Sequence, residues 1–201
     1  MKALLLILAF LGPVEDLDLG VACAVQDHRR PGLEAPMRAL SSYARPAVVA
    51  AGLLVVLGAD VVSGGGWSTV RLAAAALAGT NLAVEVLKRA VDRQRPDGEH
   101  RRSNASFPSS HAANAFVLAW VLSARWRRGA PLFFVVALLV AFSRMYLNRH
   151  FLSDVSAGAI IGAGIAWACA RWLPVRGRVA RGGSGAGGPP DPPVLVETAG
   201  L

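Results

Sequence analysis

The chain has 201 residues, of which 54% are hydrophobic and 17% are charged, and its mean hydropathy is +0.44. These values are too apolar for an ordinary soluble domain and indicate one compact integral membrane domain. The net charge of +8 fits positive-inside loops, a contact surface for anionic lipids or an anion-binding site, whereas nucleic-acid binding is disfavoured because the chain has no separate basic domain.

Residues 1–45 are predicted to form an interfacial amphipathic segment. Residues 1–11 are an apolar run that is too short to cross a bilayer unaided, since a helix needs about 20 residues to do so. Residues 15–45 mix acids and arginines with leucines, an amphipathic pattern that suits the membrane interface. We expect Pro31 and Pro36 to interrupt this pattern.

Longer apolar runs follow and are predicted to be membrane helices. They occupy residues 46–62, 67–87, 111–124, 130–147 and 154–173. The shorter runs must extend into their flanks to cross a bilayer. The predicted fold class is therefore all-α, a polytopic membrane helix bundle with five transmembrane helices, or six if the N-terminal run also inserts. The transmembrane domain is predicted to cover residues 46–176, and the Gly- and Pro-rich residues 177–201 are predicted to be a disordered tail.

Charged residues lie between the fourth and fifth runs, in the sequence Ser-Arg-Met-Tyr-Leu-Asn-Arg-His-Phe-Leu-Ser-Asp of residues 143–154. Residues four apart share one face of a helix, so Asp154 is expected to reach one ring nitrogen of His150 and leave the other outward. This arrangement suits a nucleophilic or basic histidine, and the planar guanidinium of Arg144 suits phosphate. The alternative is an interfacial His-Asp pair beside arginines that extend to the membrane surface.

Two further motifs precede this stretch. Lys88 and Arg95-Pro96 are separated by six residues, and residues 108–111 read Pro-Ser-Ser-His. In order, the three motifs resemble K-x6-R-P, P-S-G-H and S-R-x5-H-x3-D, the signature of the type 2 phosphatidic acid phosphatase superfamily. The resemblance covers about residues 88–154, with Ser110 at the position where the family usually has glycine. It implies a membrane-bound lipid phosphatase.

The resemblance implies a role for each motif residue, and the chemistry of phosphate transfer supports these roles. His150 is the expected nucleophile, Asp154 orients its ring, and His111 is the expected general acid. Charge on the phosphoryl oxygens needs cations and the N–H groups of a helix N-terminus. The expected phosphate-binding residues are Lys88, Arg95, Ser109, Ser110 and Arg144.

Alternation of the predicted helices places all three motifs at one membrane face. The opposite face receives the arginines of residues 125–128 and 171–181, which we interpret as positive-inside charges. This predicts an active site on the extracytoplasmic side of the cell membrane. The charged residues around the first motif, Arg93 among them, are expected to form a solvated loop.

The predicted function is hydrolysis of a lipid phosphate or diphosphate through a phosphohistidine, without a metal or another cofactor. Candidate substrates are polyprenyl diphosphates such as undecaprenyl diphosphate, phosphatidic acid and phosphatidylglycerol phosphate. The expected partners are this substrate and membrane lipids. The sequence does not indicate which oligomeric state the protein adopts. Three alternatives remain open: a lipid phosphotransferase with the same intermediate, a vanadate-dependent haloperoxidase, and a non-catalytic membrane binding protein.

Overall fold

The computed structural model describes residues 2–42, 46–62, 67–99 and 105–175, and the regular elements within these ranges are helices, with no strand among them. The all-α prediction is therefore confirmed for these residues, and the predicted tail lies outside them. The helices are α1 (Lys2–Asp27), α2 (Pro31–Ser42), α3 (Pro46–Val62), α4 (Ser68–Val91), α5 (Ser110–Arg125), α6 (Ala130–Tyr146) and α7 (Leu152–Trp172). A single 3₁₀ turn, Arg127–Gly129, leads into α6.

The N-terminal segment forms two helices, α1 and α2, which pack against the bundle. Pro31 is the first residue of α2, where the missing N–H would have had no helical partner in any case. Pro36 lies inside α2 without ending it, so the expected interruption occurs at Pro31 alone. Helix α2 packs against α6, and α1 contacts both α6 and α7.

Helices α3 to α7 coincide with the five predicted apolar runs. Among the described residues, α4, the segment Arg127–Tyr146 and α7 are long and apolar enough to cross a membrane. Helix α3 contains a shorter apolar stretch, Gly52–Val62. The number of membrane crossings, five or six, stays a prediction.

Helix α5 is the centre of the bundle, because it packs against α4, α6 and α7. Small and branched side chains fill the space between α4, α5 and α7, and these core residues are Leu72, Ala73, Ala76, Leu77, Val117, Val121 and Ala166. Large apolar side chains on the outside of the helices are exposed instead, as lipid-facing residues would be. They include Leu82, Val86, Leu138 and Ile160.

Two glycines of α7 allow its backbone to touch that of α5. A Cβ atom added to Gly162 would lie 2.1 Å from the carbonyl oxygen of Ala113, and one added to Gly158 would lie 2.5 Å from that of Ser109. Small residues four apart commonly permit such close helix packing in membranes. The contact brings the first residues of α5 and α7 together, and the Ser109 N–H donates to the Asp154 carbonyl at 3.0 Å.

A buried ion pair joins helices at the other end of the bundle. The Arg125 Nε atom at the end of α5 donates to Asp60 Oδ1 in α3 at 2.7 Å. The second carboxylate oxygen of Asp60 accepts the N–H of Thr69 at the start of α4 at 3.1 Å. One side chain therefore connects three helices.

Candidate active site

The three sequence motifs meet at one end of the bundle, where α4 and α6 end and where α5 and α7 begin. Lys88 lies in the last turn of α4 and donates to the carbonyl oxygen of Ala105. Ser109 precedes α5, and its hydroxyl accepts the N–H of Ala112 at 3.5 Å, as an N-cap residue does. Arg144 lies in the last turn of α6 and donates to the hydroxyl of Ser41 in α2.

His150 and Asp154 adjoin each other, but not in the expected way. His150 precedes α7, and its Nδ1 atom lies 2.8 Å from the Ser106 carbonyl oxygen and 3.7 Å from Asp154 Oδ2. The nearer acceptor is therefore a backbone carbonyl. Asp154 lies farther from the ring because it is in the first turn of α7, where its Oδ2 atom accepts the N–H of Phe151 at 2.8 Å.

Ser106 joins this histidine to this carboxylate. Its hydroxyl donates to Asp154 Oδ2, while its carbonyl oxygen faces the ring of His150. Both Ser106 and Asp154 are fully buried, so water cannot compete for these hydrogen bonds. The ring of His150 is consequently oriented by two neighbours, and Nδ1 is the ring nitrogen that faces them.

Burial keeps His150 neutral. His150 is 3% exposed, and this burial lowers its pKa to about 4, although the neighbouring carboxylate of Asp154 opposes the change. The positive charge of Arg144 also lowers the pKa. At pH 7 the imidazole is therefore uncharged and has a lone pair available on one ring nitrogen.

Cationic side chains surround the two histidines. Lys88, Arg95 and Arg144 are largely buried, which is costly for charges and requires nearby polar or anionic groups. His111, in the first turn of α5, lies within electrostatic reach of these three cations and of His150. Ser110 is the first residue of the same helix. The residues that the sequence assigned to the site thus lie around one end of the bundle.

Arg93 belongs to this site, and the prediction that it lies in a solvated loop is wrong. Its Nη1 atom donates to Asp154 Oδ1 at 2.8 Å and to the Ser153 hydroxyl at 2.7 Å, and Nη2 donates to Asp18 Oδ2 at 2.8 Å. Burial alone would lower the pKa of Arg93, but the hydrogen bonds and charges of Asp18 and Asp154 raise it. Charge patterning could not reveal this position.

Asp18 is a second residue that sequence reasoning missed. It lies in α1, is 1% exposed, and accepts the backbone N–H of Ser153 at 2.8 Å as well as the Ser153 hydroxyl. Together with Arg93 it forms a chain of contacts from α1 to Asp154. The sequence contained no signal for this, because Asp18 follows Glu15 and Asp16 in an acidic stretch.

The fold and this site define a class of protein. Apolar helices of bilayer length hold buried histidines and cations at one end, a set of side chains suited to phosphate chemistry. Among the described residues, no group of three or more His, Cys, Asp or Glu side chains is arranged to hold a metal ion. The apolar helices and the set of buried histidines and cations are features of an integral membrane phosphatase.

Comparison with known proteins identifies the family. The model of the PAP2 superfamily matches residues 69–178. A decaprenylphosphoryl-5-phosphoribose phosphatase of Mycobacterium tuberculosis is 32% identical over 154 residues, which cover 73% of this chain and 85% of that protein. A lipid A 4'-phosphatase of Bacteroides thetaiotaomicron is 41% identical over 69 residues, 33% of this chain and 31% of that one.

Solved structures have the same fold. The crystal structure of Aquifex aeolicus LpxE aligns with a TM-score of 0.68 at 24% identity, and covers 77% of this chain and 95% of its own. The transmembrane PAP2-type phosphatidylglycerolphosphate phosphatase of Bacillus subtilis aligns with a TM-score of 0.71 at 24% identity. The alignment covers 85% of this chain and 92% of that one. The chain belongs to the PAP2 superfamily and is a phosphatase.

Proposed function

We propose that the protein hydrolyses a phosphate ester or anhydride of a membrane lipid through a phosphohistidine at His150, without a metal ion. The observation that carries this proposal is the ring of His150. Its Nδ1 atom faces the Ser106 carbonyl and Asp154. The imidazole ring is neutral at pH 7, and buried cations surround it. A neutral, oriented imidazole beside cations can attack a phosphoryl group that those cations hold.

In the first step, Nε2 of His150 attacks phosphorus, and the bond between phosphorus and the lipid oxygen breaks. Negative charge on the phosphoryl oxygens is stabilised by Lys88, Arg95 and Arg144. The backbone N–H groups at the start of α5 add to this stabilisation, because unpaired N–H donors and the helix dipole favour an anion there. The first of these donors is the N–H of Ser110, the first residue of α5.

Proton transfer completes the reaction. His111 donates a proton to the departing lipid oxygen, which leaves as an alcohol or as a shorter phosphate. Water then attacks the phosphohistidine, the bond between nitrogen and phosphorus breaks, and inorganic phosphate leaves. Asp154 stabilises the positive charge that forms on the imidazole during the attack. His111 accepts the proton of the attacking water and returns to its starting state.

The substrate is proposed to be a lipid with a terminal phosphate. Candidates are polyprenyl diphosphates such as undecaprenyl diphosphate, phosphatidic acid and phosphatidylglycerol phosphate. Decaprenylphosphoryl-5-phosphoribose joins them, because the M. tuberculosis relative that aligns over 73% of this chain is named for it. Each of these lipids places its phosphate at the membrane surface, where the helix ends of the site lie.

We also propose that α3 to α7 cross the cell membrane, with α1 and α2 as an interfacial segment and the active site on the extracytoplasmic side. Arg125 and the 3₁₀ turn Arg127–Gly129 lie at the end of the bundle opposite the site. Arginines that remain on the cytoplasmic side are the usual determinant of orientation.

The test is phosphate release by the detergent-purified protein from a panel of these lipids, with a metal chelator present. We expect one or more lipids to be hydrolysed and His150→Ala to lower kcat at least about 10³-fold. Retention of 32P from labelled substrate on the wild-type protein, and not on His150→Ala, would identify the intermediate. Loss of activity on adding the chelator would overturn the metal-free mechanism, and equal activity of wild type and variant would overturn the role of His150.

A further inference from the structure

A polar cavity of about 270 Å³ adjoins the candidate active site at Arg144. It is small compared with typical ligand pockets of about 300–1,000 Å³, so it suits a polar headgroup better than a hydrocarbon chain. Arg144 lines it, whereas the other proposed phosphate-binding residues and the two histidines are not among its lining residues. Its polar lining consists of Arg29, Glu34, Arg38, Ser41, Arg144 and Arg149.

The cavity has an excess of positive charge. Arg29 and Arg38 share one carboxylate, because Nη2 of Arg29 lies 3.2 Å from Glu34 Oε1 and Nε of Arg38 lies 3.2 Å from the same atom. The hydrogen bond and charge of Arg38, with the charge of Arg29, lower the pKa of Glu34. Arg149 contributes less, since it already pairs with Asp97 at 2.9 Å and Glu99 at 2.6 Å. Two guanidinium groups for one carboxylate favour an additional anion.

The walls of the cavity are held in place by Tyr146, at the end of α6. Its hydroxyl accepts the N–H of Arg30 at 2.7 Å and donates to the Arg30 carbonyl at 2.8 Å, and the Arg29 guanidinium lies 5.8 Å from its ring centroid. Gln26 also donates to the Met145 carbonyl at 3.1 Å. The connection between α1 and α2 is therefore attached to α6, and this attachment holds Arg29 beside the cavity.

We propose that this cavity binds a second phosphate group of the substrate, so that the preferred lipid carries two phosphate groups in its headgroup. The inference rests on the proposed lipid phosphatase function and narrows its substrate class. Arg144 lines the cavity and is also a proposed ligand of the reacting phosphate. The reacting phosphate can therefore lie on the active-site side of Arg144 while the second phosphate of the same headgroup lies in the cavity. A diphosphate meets this description, as does a terminal monoester joined through a phosphodiester to the lipid. Phosphatidic acid, with one phosphate, leaves the cavity without an anion.

The experiment compares a polyprenyl diphosphate with the monophosphate of the same chain length, in neutral detergent. The variant is Arg29→Gln with Arg38→Gln, which removes the charge excess and leaves the proposed catalytic residues unchanged. We expect KM for the diphosphate to rise about tenfold, the loss of about 1.4 kcal/mol of binding, while KM for the monophosphate changes less than about twofold. Turnover at saturation stays at the wild-type value for both lipids.

Arg89→Gln is the matched control. Arg89 is as exposed as Arg38, at 72% against 71%, and it also pairs with a glutamate four residues away, Glu85. It lies in the last turn of α4, near the same end of the bundle, and does not line the cavity. The control is expected to leave both KM values unchanged. Arg38→Gln alone, at an exposed position, provides a second variant if the double variant has a lower melting temperature.

The outcomes separate this inference from the proposed function. If wild-type protein hydrolyses neither lipid nor any other of the panel, the phosphatase proposal fails. If the double variant raises both KM values equally, hydrolysis stands but the second phosphate site is overturned. If the variant changes KM for the monophosphate, and does so only in vesicles that contain phosphatidylglycerol, a neighbouring membrane lipid occupies the cavity. That result also overturns the inference. Titration of His150→Ala with inorganic pyrophosphate and with phosphate supports the inference if the double substitution weakens pyrophosphate binding alone.

Discussion

Asp154 and Asp60 are both fully buried carboxylates, and they have similar partners at opposite ends of the bundle. Each accepts a hydrogen bond from an arginine, Arg93 at 2.8 Å and Arg125 at 2.7 Å, and each accepts a backbone N–H near a helix start. Asp154 also faces the ring of His150. Burial and an arginine partner are therefore common to a carboxylate that we propose acts in catalysis and to one that joins helices. The neighbouring histidine is found at Asp154 and not among the partners of Asp60 described above.

The largest expected difference between the two carboxylates is in kcat, when Asp154 and Asp60 are each replaced by asparagine. Asp154→Asn removes the charge that stabilises the imidazolium, and we expect kcat to fall about 10²-fold. The loss is smaller than the roughly 10⁴-fold effect known where a carboxylate alone sets the histidine tautomer, because the Ser106 carbonyl still faces Nδ1. Activity assays of the purified variant check this prediction.

Asp60→Asn is the partner experiment. It leaves the buried guanidinium of Arg125 without its carboxylate, which typically costs about 3–5 kcal/mol of unfolding free energy. We expect a lower melting temperature in detergent and an unchanged kcat for the folded fraction. A fall in kcat equal to that of Asp154→Asn would mean that both carboxylates act on the reaction, and the distinction between them would be wrong.

A smaller effect is expected at Asp18, the residue that connects α1 to the site. Asp18→Asn weakens charged hydrogen bonds to Arg93 and Ser153, so Asp154 is held less firmly, and we expect kcat to fall about tenfold with little change in KM. Asp16→Asn is the control, because Asp16 is an exposed acid two residues earlier in α1. Equal kcat values for the two variants would limit α1 to a packing role.

The smallest expected effect is a change in the pKa of His150 when one of the two carboxylates is replaced. Its pKa is lowered to about 4, chiefly by burial, so the ring takes up a proton only as the pH falls through that value. Asp154 raises this pKa, and its replacement by asparagine should therefore lower the pKa further, whereas Asp60→Asn should not change it. Histidine-ring NMR titration, with His150→Ala to assign the signal, measures the shift. A pKa near 6.5 in the wild type would contradict the burial of the ring.

The predicted network around His150 was incomplete because its contacts are distant in the chain. The Ser106 carbonyl is 44 residues from the histidine that it orients, and Asp18 is 75 residues from Arg93. Local spacing predicts contacts within a helix, and on that basis Asp154 was expected to be the nearest acceptor. His150 instead precedes α7, so the backbone turns away from the helical path between the two residues.

Hydropathy by itself determined the all-helical membrane class and the positions of α3 to α7, because a bilayer requires apolar runs of set length. The spacing of the three motifs indicated the family. Only the tertiary structure decided which groups orient those residues. The close contact of Gly158 and Gly162 with α5, and the packing of α1 on α7, set the relative positions of distant segments. Such positions depend on the fit of whole helices, which no short stretch of sequence encodes.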